Sequence, residues 1–74
     1  MPTDNGAMPL NLSYIRQRRE QLGLTLAQAA ELAGFPNAQK WWQLENGRIP
    51  DPQISTLEAM AKALRCGAAK LLSP

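Results

Sequence analysis

The segment 25–47, TLAQAAELAGFPNAQKWWQLENG, leaves few folds open to this chain, because it holds two short helical patterns separated by only a few breaker residues. Thr25 with Gln28 three positions on has the Thr-x-x-Gln form of a capping box, in which each residue satisfies an unpaired amide of the other. A helix therefore starts at Thr25. Leu26, Ala29, Ala30 and Ala33, with Leu32 alongside, form its buried side, and the alanines let a crossing helix approach closely. Gly34 ends it, and Pro36 pushes Phe35 out of the helical region, so this helix cannot run on. Asn37 is then a good N-cap for a second helix spanning about Ala38 to Glu45, which Asn46-Gly47 closes. Trp41 and Leu44 within it sit three apart and face the core, while Ala38, Gln39, Trp42 and Gln43 share a different face. Neighbouring helical residues point about 100° apart, so Trp41 and Trp42 cannot both be buried against one layer. Trp41 is assigned to the core and Trp42 to the outer shoulder.

Residues 1–10, MPTDNGAMPL, carry two prolines and an Asn-Gly pair without helical period and are read as a flexible tail. The tail has no Lys or Arg, which argues against a basic arm. Residues 11–74 form the folded domain. Leu12, Ile15 and Leu22 recur at helical spacing with Arg16, Gln17 and Glu20 opposite, which predicts a helix over 12–22 capped by Asn11 or Ser13 and closed by Gly23. Pro50 and Pro52 make 48–53 a loop. Ile54, Leu57, Met60, Ala61 and Leu64 form the apolar stripe of a helix over 54–64, which Ser55 and Glu58 can start as a capping box unless it begins a turn earlier. A short helix over 68–72 returns Leu71 and Leu72 to the core. The expected architecture is all-α: a compact bundle of five helices without strands.

With 74 residues the chain is one small domain, near the lower limit at which an apolar core alone sustains a fold. Net charge is +2, too mild to identify a partner, but Arg16, Arg18 and Arg19 cluster in the first helix, with Lys40 in the third and Arg48 just after it. The single Cys66 cannot form an internal disulfide, so a reducing cytoplasmic location is expected, and no apolar run approaches the roughly 20 residues of a membrane span. No histidine and one cysteine leave no zinc site, and no cofactor is called for. An enzyme would need its general base among six carboxylates, of which Glu45 and Glu58 read as structural, so no catalysis is expected.

Arg19 with Leu22-Gly23-Leu24-Thr25, Ala29-Ala30-Glu31-Leu32-Ala33-Gly34, Leu44-Glu45-Asn46-Gly47-Arg48, Thr56-Leu57 and Ala61-Lys62-Ala63-Leu64, and the closing Leu71-Leu72 together resemble the Cro and lambda-repressor-like (XRE-type) helix-turn-helix family. The resemblance covers about Leu12 to Leu72. It implies a five-helix bundle acting as a sequence-specific transcriptional regulator, often dimeric, with the second helix of the motif as the DNA-reading element. It further implies that Arg19 and Glu45 form a structural ion pair, that Ala38, Gln39 and Gln43 sit where base edges are read, and that Asn46 and Arg48 lie near phosphate. Two features depart from the family pattern: Leu26 stands where a phosphate-touching Gln is usual, and the turn before Asn37 is about one residue longer.

These residues suit double-stranded DNA chemically. An α-helix fits the major groove, where every base-pair orientation has a distinct hydrogen-bonding pattern, and Gln39 and Gln43, one turn apart, can each pair bidentately with adenine. Glutamines on helices are usually only solvated, and the helix-turn-helix context is what gives these two a reading role. Trp42 either covers the core edge or contacts a thymine methyl or sugar. Asn37, Lys40, Asn46, Arg48, Arg16 and Arg18 are the expected phosphate contacts, which anchor without encoding sequence. One small domain buries little DNA, so a homodimer on two half-sites is expected, with the closing helix and the apolar face of the 54–64 helix as candidate dimer surface. The leading expectation is a repressor. The alternative is an antitoxin or recombinase accessory protein acting mainly through protein contacts, which an additional partner-binding segment would favour.

Overall fold

A computed structural model describes residues 10–49 and 51–72. The expected tail lies outside the described residues except for Leu10, which is paired in an antiparallel bridge with Leu72. Four α-helices follow in order, α1 (Leu12–Gln21), α2 (Leu26–Ala33), α3 (Ala38–Glu45) and α4 (Ile54–Leu64), then a 3-10 turn at Ala68–Leu71. The fifth helix expected over 68–72 is thus a single tight turn. Four residues are too few for a run of α-type hydrogen bonds, and Leu72 leaves in extended conformation to meet Leu10.

Side-chain caps start the first three helices. Asn11 Oδ1 accepts from the Tyr14 amide at 3.2 Å, and the Asn11 amide donates to the Leu71 carbonyl at 2.7 Å, which ties the start of α1 to the closing turn. In α2 the Thr25 amide donates to Gln28 Oε1 at 2.9 Å while the Gln28 amide donates to Thr25 Oγ1 at 3.1 Å, a complete capping box. Asn37 Oδ1 accepts from the Lys40 amide at 3.1 Å to start α3. The box expected from Ser55 and Glu58 does not form. Helix α4 begins at Ile54 from Gln53 without a side-chain cap, so both residues already lie inside the helix.

All four helices end the same way, with a left-handed residue whose own amide and the next one donate back to carbonyls of the last turn. Gly23, Gly34 and Gly47 fill that position in the first three, and Arg65, at φ 55°, fills it after α4.

Helix α2 packs against both α3 and α4, and α1 spans α3, α4 and the closing turn. Ile15, Ala29, Ala30, Trp41, Leu44, Met60, Ala61, Ala63, Leu64 and Leu71 form one buried core. The alanines at 29 and 30 are the close-approach surface of α2, and the Phe35 and Trp41 rings stack obliquely with centroids 6.0 Å apart. The apolar face of α4 and the closing element, expected as dimer surface, are largely taken up by packing within the chain: Leu57, Met60, Ala61, Ala63 and Leu64 of α4 and Leu71 of the closing turn are all buried. Ile54, placed on the same stripe, is instead 73% exposed at the first position of α4. No helix among the described residues is long and apolar enough to cross a membrane.

Candidate functional site

Helix α3 is held from its inner side. Trp41 and Leu44 are fully buried, and Glu45, at the end of the same face, is 3% exposed although charged. A buried carboxylate needs donors, and this one has four. Arg19 Nε donates to Oε1 at 2.7 Å and Nη2 to Oε2 at 3.0 Å, Trp41 Nε1 donates to Oε1 at 3.0 Å, and Arg16 Nε donates to Oε2 at 3.3 Å. Arg19 Nη1 also donates to the Leu24 carbonyl at 2.8 Å. The guanidinium therefore joins α1, the α1–α2 turn and the end of α3. Burial alone would push the Glu45 carboxyl up, but the hydrogen bonds from Arg19 and Trp41, the Arg19 charge and the Arg16 contact hold it below the usual carboxylate range. So enclosed, Glu45 ties the end of α3 to α1.

Fixing the inner side fixes what faces out. Gln39 is exposed and Gln43, one turn further on, half-buried, so both amides lie along the flank opposite Trp41. Trp42 is 41% exposed on the shoulder of that flank. Ala38 and Lys40 are half-buried, and Asn37 is exposed at the start of the helix with its side chain engaged as the cap.

The far end of α3 gathers further polar groups. Asn46 Nδ2 donates to the Trp42 carbonyl at 2.9 Å, and Arg16 Nη2 donates to Asn46 Oδ1 at 3.4 Å. Arg48 turns back over the helix, with its guanidinium carbon 5.5 Å from the centroid of the Trp42 ring. Arg16, Asn46, Trp42 and Arg48 thus form one continuous series of contacts beside Gln43. The Arg48–Trp42 pair is not visible in the sequence pattern, since six positions separate the residues. It is made by the left-handed Gly47, which reverses the chain and lets the Arg48 amide donate to the Gln43 carbonyl at 2.8 Å.

Arg18 lies elsewhere. Its Nε donates to the Leu64 carbonyl at 2.9 Å, Nη2 to the Arg65 carbonyl at 3.4 Å and Nη1 to Gln21 Oε1 at 3.4 Å. A cation against the last carbonyls of α4 complements the negative end of that helix. This cation, expected to contact phosphate, instead joins α1 to the end of α4.

Among the described residues no cluster of His, Cys, Asp or Glu has the arrangement to hold a metal ion. What α3 presents is amide donors and acceptors along a rod, an indole on one shoulder, and cations around it. A family model described as a helix-turn-helix domain matches residues 13–72 of the chain. No curated protein matches it.

Proposed function

The chain belongs to the helix-turn-helix domain family, whose members point to DNA binding, and from that premise we propose that it is a sequence-specific transcriptional regulator acting on double-stranded DNA. In this reading α3 lies in the major groove and a bound pair of copies represses by occluding a promoter or the protein's own operator. The observation that carries the reading is the outward flank of α3, with Gln39 exposed and Gln43 one turn along, on a helix whose opposite side is anchored by Trp41, Leu44 and Glu45. Rigid presentation matters, because a base-reading side chain must hold its position to within a fraction of an ångström to discriminate.

Ala38, Gln39, Trp42 and Gln43 are the proposed base-reading residues. Gln39 and Gln43 would each favour adenine by about 1–3 kcal/mol through paired bonds to N6 and N7. Asn37, Lys40, Asn46, Arg48 and Arg16 are the proposed phosphate contacts. Arg16 keeps this role because its side chain is 54% exposed despite touching Glu45. Arg18 is not carried into the set, since its Nε and Nη2 donate to carbonyls at the end of α4. Two copies on half-sites about one helical turn apart would supply the contact area that one domain lacks.

Enrichment of bound sites from random duplex DNA at two salt concentrations tests the proposal. A recurring half-site that survives the higher salt is expected. Uniform binding that vanishes with salt would mean phosphate attraction alone.

A further inference from the structure

We propose that Trp42, backed by Arg48, reads the 5-methyl group of one thymine in each half-site. The protein then distinguishes thymine from uracil, and 5-methylcytosine from cytosine, at that base pair. This rests on the reading of α3 as the groove helix and deepens it by assigning one position a chemical preference that the glutamines cannot supply.

Of the two adjacent indoles, Trp41 is sealed in the core and Trp42 is 41% exposed, so the fold leaves a large, mainly apolar ring on the shoulder of the flank that carries the polar readers. The Arg48 cation sits 5.5 Å from the ring centroid, within the range of a cation–π contact, and Asn46 Nδ2 donates to the main-chain carbonyl of Trp42 at 2.9 Å. With Arg48 over the ring, the exposed indole offers mainly carbon, its one polar group being the Nε1–H. Against most base edges that surface would strand hydrogen-bonding groups without partners, which is unfavourable. The thymine methyl is the one apolar group that the four bases display in the major groove. Gln43, about 100° around the helix from Trp42, is then free to read a neighbouring pair.

The test is a uracil scan of the enriched half-site, in which each thymine in turn is replaced by deoxyuridine. This removes the methyl and leaves the pairing edge intact. Wild-type protein is expected to lose about four-fold in affinity at one thymine per half-site, the worth of burying a single methyl-sized group. Trp42→Ala is expected to bind the thymine and uracil duplexes equally, with circular dichroism showing that the helices remain. In a second arm that pair is changed to C·G, and methylation of the cytosine at C5 should recover affinity for wild type but not for Trp42→Ala. Equal wild-type affinity for every uracil duplex would overturn the proposal while leaving adenine reading by the glutamines intact, as would discrimination that persists in Trp42→Ala. If no half-site is enriched at all, the groove reading itself fails.

Discussion

Arg19 grips Glu45 through two parallel hydrogen bonds, Nε to Oε1 at 2.7 Å and Nη2 to Oε2 at 3.0 Å, across a gap of 26 residues in the chain. The side chains are 14% and 2% exposed, so the Glu45 carboxylate is buried and the Arg19 guanidinium largely shielded from solvent. Its removal is therefore expected to be costly. Arg19→Met should destabilise the fold by about 3–5 kcal/mol, the usual penalty for leaving one charge of a buried pair behind. That is a large share of the roughly 4–11 kcal/mol expected for a domain of this length. Glu45→Gln should cost less, because the amide oxygen still accepts from Trp41 Nε1 and the guanidinium keeps the Leu24 carbonyl. Urea denaturation of the two variants checks the order.

The same pair sets an acid limb. The folded protein holds the Glu45 carboxyl below its ordinary value, near 4.3 in an unfolded chain. The stability this confers is complete above that value and is lost as pH falls through the depressed folded pKa. In Arg19→Met the main donor is gone and burial dominates, so protonation there relieves a penalty. The stability difference between wild type and Arg19→Met should accordingly shrink on titration from pH 7 to pH 3. A constant difference would show that the pair's ionisation is not what stabilises the fold.

Arg65 is the one residue other than glycine with positive φ among those described, at φ 55°, and its side chain is exposed. A left-handed residue with a Cβ costs about 1–2 kcal/mol, partly offset in glycine by the greater freedom of the unfolded chain. Arg65→Gly should therefore stabilise by about 0.5–1 kcal/mol, read as a raised Tm. Its carbonyl remains to accept from Arg18.

Gly47 and Gly34 share the left-handed conformation, but a Cβ at Gly47 would lie 3.2 Å from Leu12 Cδ1 while one at Gly34 meets nothing. Alanine at either site should destabilise by about 1–2 kcal/mol through the backbone term. Gly47→Ala should be the worse of the two in thermal denaturation, and should also weaken binding to DNA because Gly47 sets where Arg48 returns over Trp42.

Much of this was legible in the sequence because local chemistry marks helix ends. Asn11, Thr25 with Gln28, Asn37 and the closing glycines are each read within four residues, and the helices began and ended close to where those residues put them. The Ser55 and Glu58 spacing misled because the same pattern arises by chance inside a helix, and Ile54 because periodicity says which face is apolar but not how far the neighbours reach. The closing element had an apolar end like a helix yet too few residues to make one. Cation placement was the least legible: nothing near Arg18 foretells an acceptor at Leu64, and the Arg48 contact with Trp42 depends on a chain reversal.

The most direct test of groove reading by α3 is the base preference of Gln39→Ala and Gln43→Ala, compared with Arg48→Ala, on sites enriched from random duplex DNA. Each glutamine variant is expected to relax the preference for adenine at one position of the half-site by about 1–3 kcal/mol and leave the other positions unchanged. Arg48→Ala should weaken binding to all sequences and reduce the salt dependence by roughly one phosphate's worth, with any change in preference confined to the thymine beside Trp42. Preferences identical to wild type in both glutamine variants would contradict the assignment of α3 as the DNA-reading helix.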